Sequence, residues 1–135
     1  KIMAMAQTVG AMLERLLREH PEASELSLDG EAIAELDSLM PILSQFAALR
    51  ELDLSRNQLR ALPPDLSALS ELRSLDVSSN HFSDMGAVIP GLASLPRLEE
   101  LSITLQTERD EEAIFLNLPG LKSLNGTLLD EEEED

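Results

Sequence analysis

Apolar and polar residues alternate along this chain in short bursts that return at a regular interval. The segment Leu49-Arg50-Glu51-Leu52-Asp53-Leu54-Ser55-Arg56-Asn57-Gln58-Leu59 recurs 23 residues later as Leu72-Arg73-Ser74-Leu75-Asp76-Val77-Ser78-Ser79-Asn80-His81-Phe82. Weaker copies begin at Ala23 (with Leu26, Leu28 and Ile33), at Leu98 (with Leu101 and Ile103) and at Leu121 (with Leu124), so the starts step by 26, 23, 26 and 23 residues. In the clearest copy, Leu52 and Leu54 alternate with Glu51, Asp53 and Ser55, the period of a strand with one buried and one wet face. Leu49, Leu59, Leu62, Leu66 and Leu69 supply the rest of that copy's apolar wall. One copy cannot bury these groups alone, whereas stacked copies form a continuous core, so the period predicts a solenoid.

This order of leucine, polar residue and asparagine resembles a leucine-rich repeat, over about residues 23–126. The resemblance implies an α/β solenoid with about five parallel strands on its concave face and short helices or 3₁₀ segments on its convex face. At the ninth position of the two clearest copies stand Asn57 and Asn80, whose carbonyl and amide can satisfy backbone groups where the chain turns inward. The same position holds Gln106 in the fourth copy, which can still bond backbone, and Glu31 in the first, which is expected to face solvent or the N-terminal segment because burial would cost its charge. Phe82, ten residues after Leu72, reads as core. Leu59 to Leu69 resembles the "typical" repeat class, its convex side kept from forming an α-helix by Pro63 and Pro64. The 26-residue copies leave room for a short helix between Ile33 and Leu49 and between Phe82 and Leu98, with Pro41 and Pro90 expected to keep each short or kinked.

Both ends of the array carry closing segments. Val9, Met12, Leu13, Leu16 and Leu17 fall at helical spacing with charged residues between them, Thr8 is placed to cap the start and Pro21 to end the helix. Residues 1–22 therefore read as an N-terminal capping helix, with a membrane or partner helix as the alternative. Ile2 to Ala6 is too short for a signal peptide or a membrane span, and a chain opening on Lys1 is expected to continue further upstream. At the other end, Glu112 to Gly126 has an aromatic-bearing helix containing Phe115, then Leu118-Pro119-Gly120-Leu121-Lys122-Ser123-Leu124, then the polar pair Asn125-Gly126. This resembles the C-terminal cap shared by U2A′-like splicing proteins, acidic nuclear phosphoproteins, mRNA-export receptors and an axonemal dynein light chain. Asn125 stands where that group usually has Asp, and Phe115 where Tyr is common. The organisation expected is thus a cap at 1–22, repeats with their C-terminal cap at 23–126, and an acidic tail at 127–135. Like charges repel, so the tail is expected to be disordered. It reads either as the start of a longer acidic tail or as a solubilising terminus.

Charge adds the candidate chemistry. The chain has 26 acidic and 10 basic residues, and setting aside the acidic Asp130 to Asp135 still leaves 20 against 10. The expected concave positions include Glu25, Asp29, Glu51, Asp53, Asp76 and Glu100, and every charge among the outward strand positions, which run on to Ser123 and Asn125, is negative. Summed charge of one sign steers oppositely charged partners. The chain therefore reads as a non-catalytic adaptor or regulatory subunit that binds a basic protein through its acidic concave face. The alternative is a structural subunit of an axonemal or cytoskeletal assembly, docking through apolar convex or edge surfaces. No cofactor or metal is expected. With no cysteine there is no disulfide-closed cap, thiolate zinc site or Cys nucleophile, which points to the inside of the cell, cytoplasm or nucleus. His20 and His81 lack nearby catalytic partners, the six glycines form no phosphate loop, and the acidity disfavours direct nucleic-acid binding.

Overall fold

The computed structural model describes residues 8–129. Three-residue strands recur once per period: β1 (Glu25–Ser27), β2 (Glu51–Asp53), β3 (Ser74–Asp76) and β4 (Glu100–Ser102), followed by the two-residue β5 (Ser123–Leu124) and β6 (Thr127–Leu128). They form one sheet in chain order, β1 to β5 parallel and β6 antiparallel to β5. The register aligns equivalent positions, Leu26↔Leu52↔Leu75↔Leu101↔Leu124. Each of these leucines points inward and is buried, as are Leu28, Leu54, Val77 and Ile103 two residues on. Parallel neighbours need long crossover connections, and these form the convex side. Two are a 3₁₀ turn continued by a short helix: Asp37–Leu39 into α2 (Met40–Leu43), and Met85–Ala87 into α3 (Ile89–Ala93).

Pro41 and Pro90 sit in the first turns of α2 and α3, which are as short as expected, four and five residues. A proline in the first helical turn forfeits an N–H that has no acceptor there anyway. The crossover from β2 to β3, carrying Pro63 and Pro64, has no helix. Gly91 brings α3 against that crossover: a Cβ there would stand 2.3 Å from the Pro63 carbonyl oxygen. Phe46 and Phe82 are buried in the same core.

The inward turns after β1, β2 and β3 are held by side-chain amides. Asn57 is the one polar residue fully buried among the described residues. Its Oδ1 accepts from the amides of Glu31 (3.0 Å) and Ile33 (2.9 Å), and its Nδ2 donates to the carbonyls of Leu28, Leu54 (both 2.9 Å) and Ser55 (3.1 Å). Asn80 accepts from Leu59 N (3.0 Å) and donates to the carbonyls of Leu54 (3.0 Å), Val77 (2.9 Å) and Ser78 (3.2 Å). Gln106 reaches only Phe82 O, at 3.4 Å, and the Glu31 side chain is exposed. The residue before each of the first three ninth positions is left-handed: Gly30 (φ 70), Arg56 (φ 55) and Ser79 (φ 55).

Helix α1 (Val9–Glu19) starts where Thr8 Oγ1 accepts from Ala11 N, and it lays Leu13 into the core beside α2. At the other end, Thr107 caps α4 (Glu108–Asn117) by accepting from Asp110 N, and the acidic first turn of α4 complements the helix dipole. Ile114 is buried, whereas Phe115, next to it, is 41% exposed. The tail boundary at 127 moves outward. Asn125 (φ 52) and Gly126 (φ 82) form a two-residue hairpin turn, and Thr127–Leu128 pairs back on β5. Both central residues have positive φ, as a type I′ turn requires, and Asn-Gly is the dipeptide that adopts it most readily. The acidic residues 130–135 lie outside the described residues.

Two substitutions test this packing. Leu75→Ala, at a position 3% exposed in the middle strand, is expected to cost about 2 to 5 kcal/mol in denaturant unfolding; a cost below about 1 kcal/mol would contradict its inward register. Asn57→Ala orphans several buried backbone groups and is expected to cost about 3 kcal/mol. The less buried Asn80 can hand its partners to water, so Asn80→Ala should cost less, and equal losses would contradict the burial difference.

Candidate functional site

The outward strand positions form two rows across the concave face. The first runs Glu25↔Glu51↔Ser74↔Glu100↔Ser123, the second Ser27↔Asp53↔Asp76↔Ser102. Neighbouring strands lie about 4.8 Å apart, so Glu25 stands beside Glu51 and Asp53 beside Asp76 with like charge. These residues border a hollow of about 430 Å³ over β1 to β3, with Leu26 and Leu52 beneath it. Glu25, Glu51 and Glu100 are exposed, while Asp53 and Asp76 are half-buried.

The two aspartates have a second task. Asp53 Oδ1 accepts from the amide (2.9 Å) and the hydroxyl (2.6 Å) of Ser55, and Asp76 Oδ1 does the same with Ser78 at the same distances. Each thereby shapes the end of its own strand, a local side-chain to backbone turn. The remaining oxygen of each, Oδ2, makes no hydrogen bond among the described residues.

Asp29 departs from the expected uniform acidity. Arg56, one repeat on, donates to both of its oxygens, from Nε to Oδ1 at 2.7 Å and from Nη2 to Oδ2, and the Ser55 hydroxyl donates at 3.2 Å. The bidentate Arg56 pair holds the Asp29 carboxyl below the usual aspartate range, and Arg56 is itself held above its ordinary value by Asp29. Asp29 is thus already neutralised and drops out of the acidic surface. Asn125 departs too. It does not face the concavity as an outward strand residue, because its left-handed conformation turns Oδ1 back to accept from Ile103 N at 2.8 Å. The Asn-Gly pair is the sequence signal that identifies this role.

Three exposed cations lie outside the outward strand positions. One residue before the first row stand Ser24, Arg50, Arg73, Glu99 and Lys122, joined by backbone bonds from Arg50 N to Ser24 O, Arg73 N to Arg50 O, Glu99 N to Arg73 O and Lys122 N to Glu99 O (2.8 to 2.9 Å). Glu99 is shared by Arg73 (3.9 Å) and Lys122 (3.5 Å). Among the described residues no cluster of three or more His, Cys, Asp or Glu is arranged to hold a metal ion, and no helix is long and apolar enough to cross a membrane.

The Asp29–Arg56 pair generates a pH prediction. The folded carboxyl has the lowered pKa, so the pair's contribution to stability is present above the unfolded aspartate pKa and is lost as pH falls through the folded value. Side-chain carbon NMR is expected to find Asp29 titrating below an ordinary aspartate, with Arg56→Gln moving its midpoint upward; an unchanged midpoint in that variant would contradict the pairing.

A family description, Leucine Rich repeats (2 copies), matches residues 47–88, which span β2 to the 3₁₀ turn before α3. No curated protein matches the chain. Among solved structures, one from the Drosophila melanogaster SNF/U2A′ complex is similar with a TM-score of 0.64 at 20% identity, over 80% of this chain and 75% of that one. Leiomodin-1 actin-binding site 2 is similar with a TM-score of 0.61 at 19% identity, over 88% and 79%. Strand register, side-chain ladder and these likenesses lead to one conclusion: the chain has the leucine-rich repeat fold.

Proposed function

We propose that this chain is a non-catalytic protein-binding module that takes the Lys- or Arg-rich surface of a partner protein onto the acidic rows of β1 to β4. The observation that carries the reading is the side-by-side placement of Glu25 with Glu51 and of Asp53 with Asp76 around an open hollow. Like charges at strand spacing repel, and a cationic partner relieves that cost. Asp29 is left out of the binding set because Arg56 occupies it. The two similar structures support a binding role to the extent of their descriptions, one protein being solved in a complex and the other described as an actin-binding site. Helix α1 serves in this reading as the N-terminal cap. The cysteine-free composition supports an intracellular setting, and the net charge of −16 disfavours direct contact with nucleic-acid phosphates.

One observation favours a second reading, docking in a larger assembly through apolar surface. Phe115, Leu116 and Leu128 are 41%, 81% and 76% exposed near the C-terminal end of the array. Salt separates the two, because exposed charges are screened within about 8 Å at physiological ionic strength while apolar contacts are not.

The test is a lysate pull-down with partners identified by mass, comparing wild type with a Glu51→Gln, Asp53→Asn, Asp76→Asn, Glu100→Gln variant. The amide replacements keep an acceptor for Ser55 and Ser78. Four ion pairs at about 0.2 to 1 kcal/mol each predict roughly fourfold or greater loss of basic-surfaced partners, with a similar loss for wild type at high salt. Retention under both changes would contradict the acidic-row reading and favour the apolar one.

A further inference from the structure

The first outward row does not end at Ser123. Strand β6 runs antiparallel to β5, with Leu128 opposite Ser123 and Thr127 opposite Leu124. Residues directly opposite one another in an antiparallel pair project to the same face of the sheet, and Leu124 is the buried, inward member of β5. Leu128 therefore stands on the concave side and completes the row Glu25↔Glu51↔Ser74↔Glu100↔Ser123↔Leu128. The two-residue turn at Asn125-Gly126 fixes that register, since a slip by one residue would put Thr127 on the concave side instead. Every outward position of β1 to β5 is Glu, Asp or Ser, so Leu128 is the one apolar side chain in either row, and it is largely exposed.

We infer that the partner presents a Lys- or Arg-rich segment that ends in a large apolar residue, its cations over Glu25, Glu51 and Glu100 and its apolar side chain over Leu128. This inference rests on the acidic-row reading and names the partner segment more closely. From Glu100 to Leu128 is two strand spacings, roughly 10 Å, which about three residues of an extended segment cover. The two ends of the row do different work. Summed negative charge attracts the basic run over a distance, whereas the leucine acts only on contact, when an apolar side chain displaces water from it. A uniformly basic segment satisfies the acids in either direction and in several positions. One apolar anchor at one end of the row favours a single direction and a single position, so the leucine contributes specificity to an attraction that the acids supply. A single exposed leucine is too small to hold a partner alone, and its continuity with the acidic row makes it part of one surface.

The test uses two synthetic peptides with the same Lys/Arg run, one carrying Leu about three residues beyond it and the other Ser at that place. Affinities are measured by calorimetry for wild type, Leu128→Ser, Leu116→Ser and the acidic-row variant above, with thermal unfolding confirming that each is folded. Leu128 is exposed, so its replacement leaves no cavity, and Leu116 is a control of similar exposure that lies on α4, outside both rows. Wild type is expected to bind the Leu peptide about fivefold more tightly than the Ser peptide, the worth of a partly buried leucine. That preference should vanish in Leu128→Ser and persist in Leu116→Ser, the coupling that a direct contact produces. Equal wild-type affinity for the two peptides would overturn the inference, as would a preference that survives Leu128→Ser or is lost equally in Leu116→Ser. If both peptides weaken on the acidic-row variant while wild type shows no preference, the apolar-anchor inference alone fails. If neither peptide weakens on the acidic-row variant, or wild type binds neither, the acidic-row reading falls and takes this inference with it.

Discussion

A chain that turns inward after every strand must bury backbone amides and carbonyls that have no partner in the strand ladder, and the side-chain amide of Asn57 meets that requirement where burial is deepest. Three of its five hydrogen bonds tie the first turn to the second across 24 to 29 residues of sequence, and two close its own turn. An apolar residue of similar size would leave those groups unpaired in the core. Asn80 repeats the arrangement one turn on. Because each amide bridges two copies, the copies cannot slide relative to one another, and the leucine rows fall in register. The concave face inherits that register on its outer side.

Outside the ladder, the same stacking determines the electrostatics. Side chains that are 23 or 26 residues apart in sequence become neighbours on adjacent strands, so like charges accumulate in rows unless something intervenes. Here they are managed in three ways. Arg56 neutralises Asp29, serine hydroxyls occupy one oxygen each of Asp53 and Asp76, and Ser74 separates Glu51 from Glu100. Charge remains unmatched along the acidic band and, with opposite sign, along Arg50, Arg73 and Lys122.

What could be read in advance follows from what acts within one copy. Leucine spacing gives the strands and their inward faces, and the prolines distinguish the convex segments. Contacts between copies were harder to foresee. The Asp29–Arg56 pair spans one full period, so it appears only when the repeats are laid over one another, and the cationic row precedes the strand positions on which alternation focuses attention. The hairpin at Asn125-Gly126 was legible from its dipeptide alone, but the cap pattern drew it into a generic polar pair. The exposure of Phe115 was not legible: helical spacing does not determine which face of α4 meets the core when Ile114 and Phe115 are adjacent and only one can point inward.

Side-chain amides lock neighbouring repeats together at Asn57 and Asn80. Native-state hydrogen exchange at the Ile33 and Leu59 amides, whose acceptors are Asn57 Oδ1 and Asn80 Oδ1, measures this. Ile33 is expected to exchange only through global unfolding, with protection equal to the core strand amides, and Leu59 to follow closely. Exchange of Ile33 through a local opening far below the global unfolding free energy would contradict it.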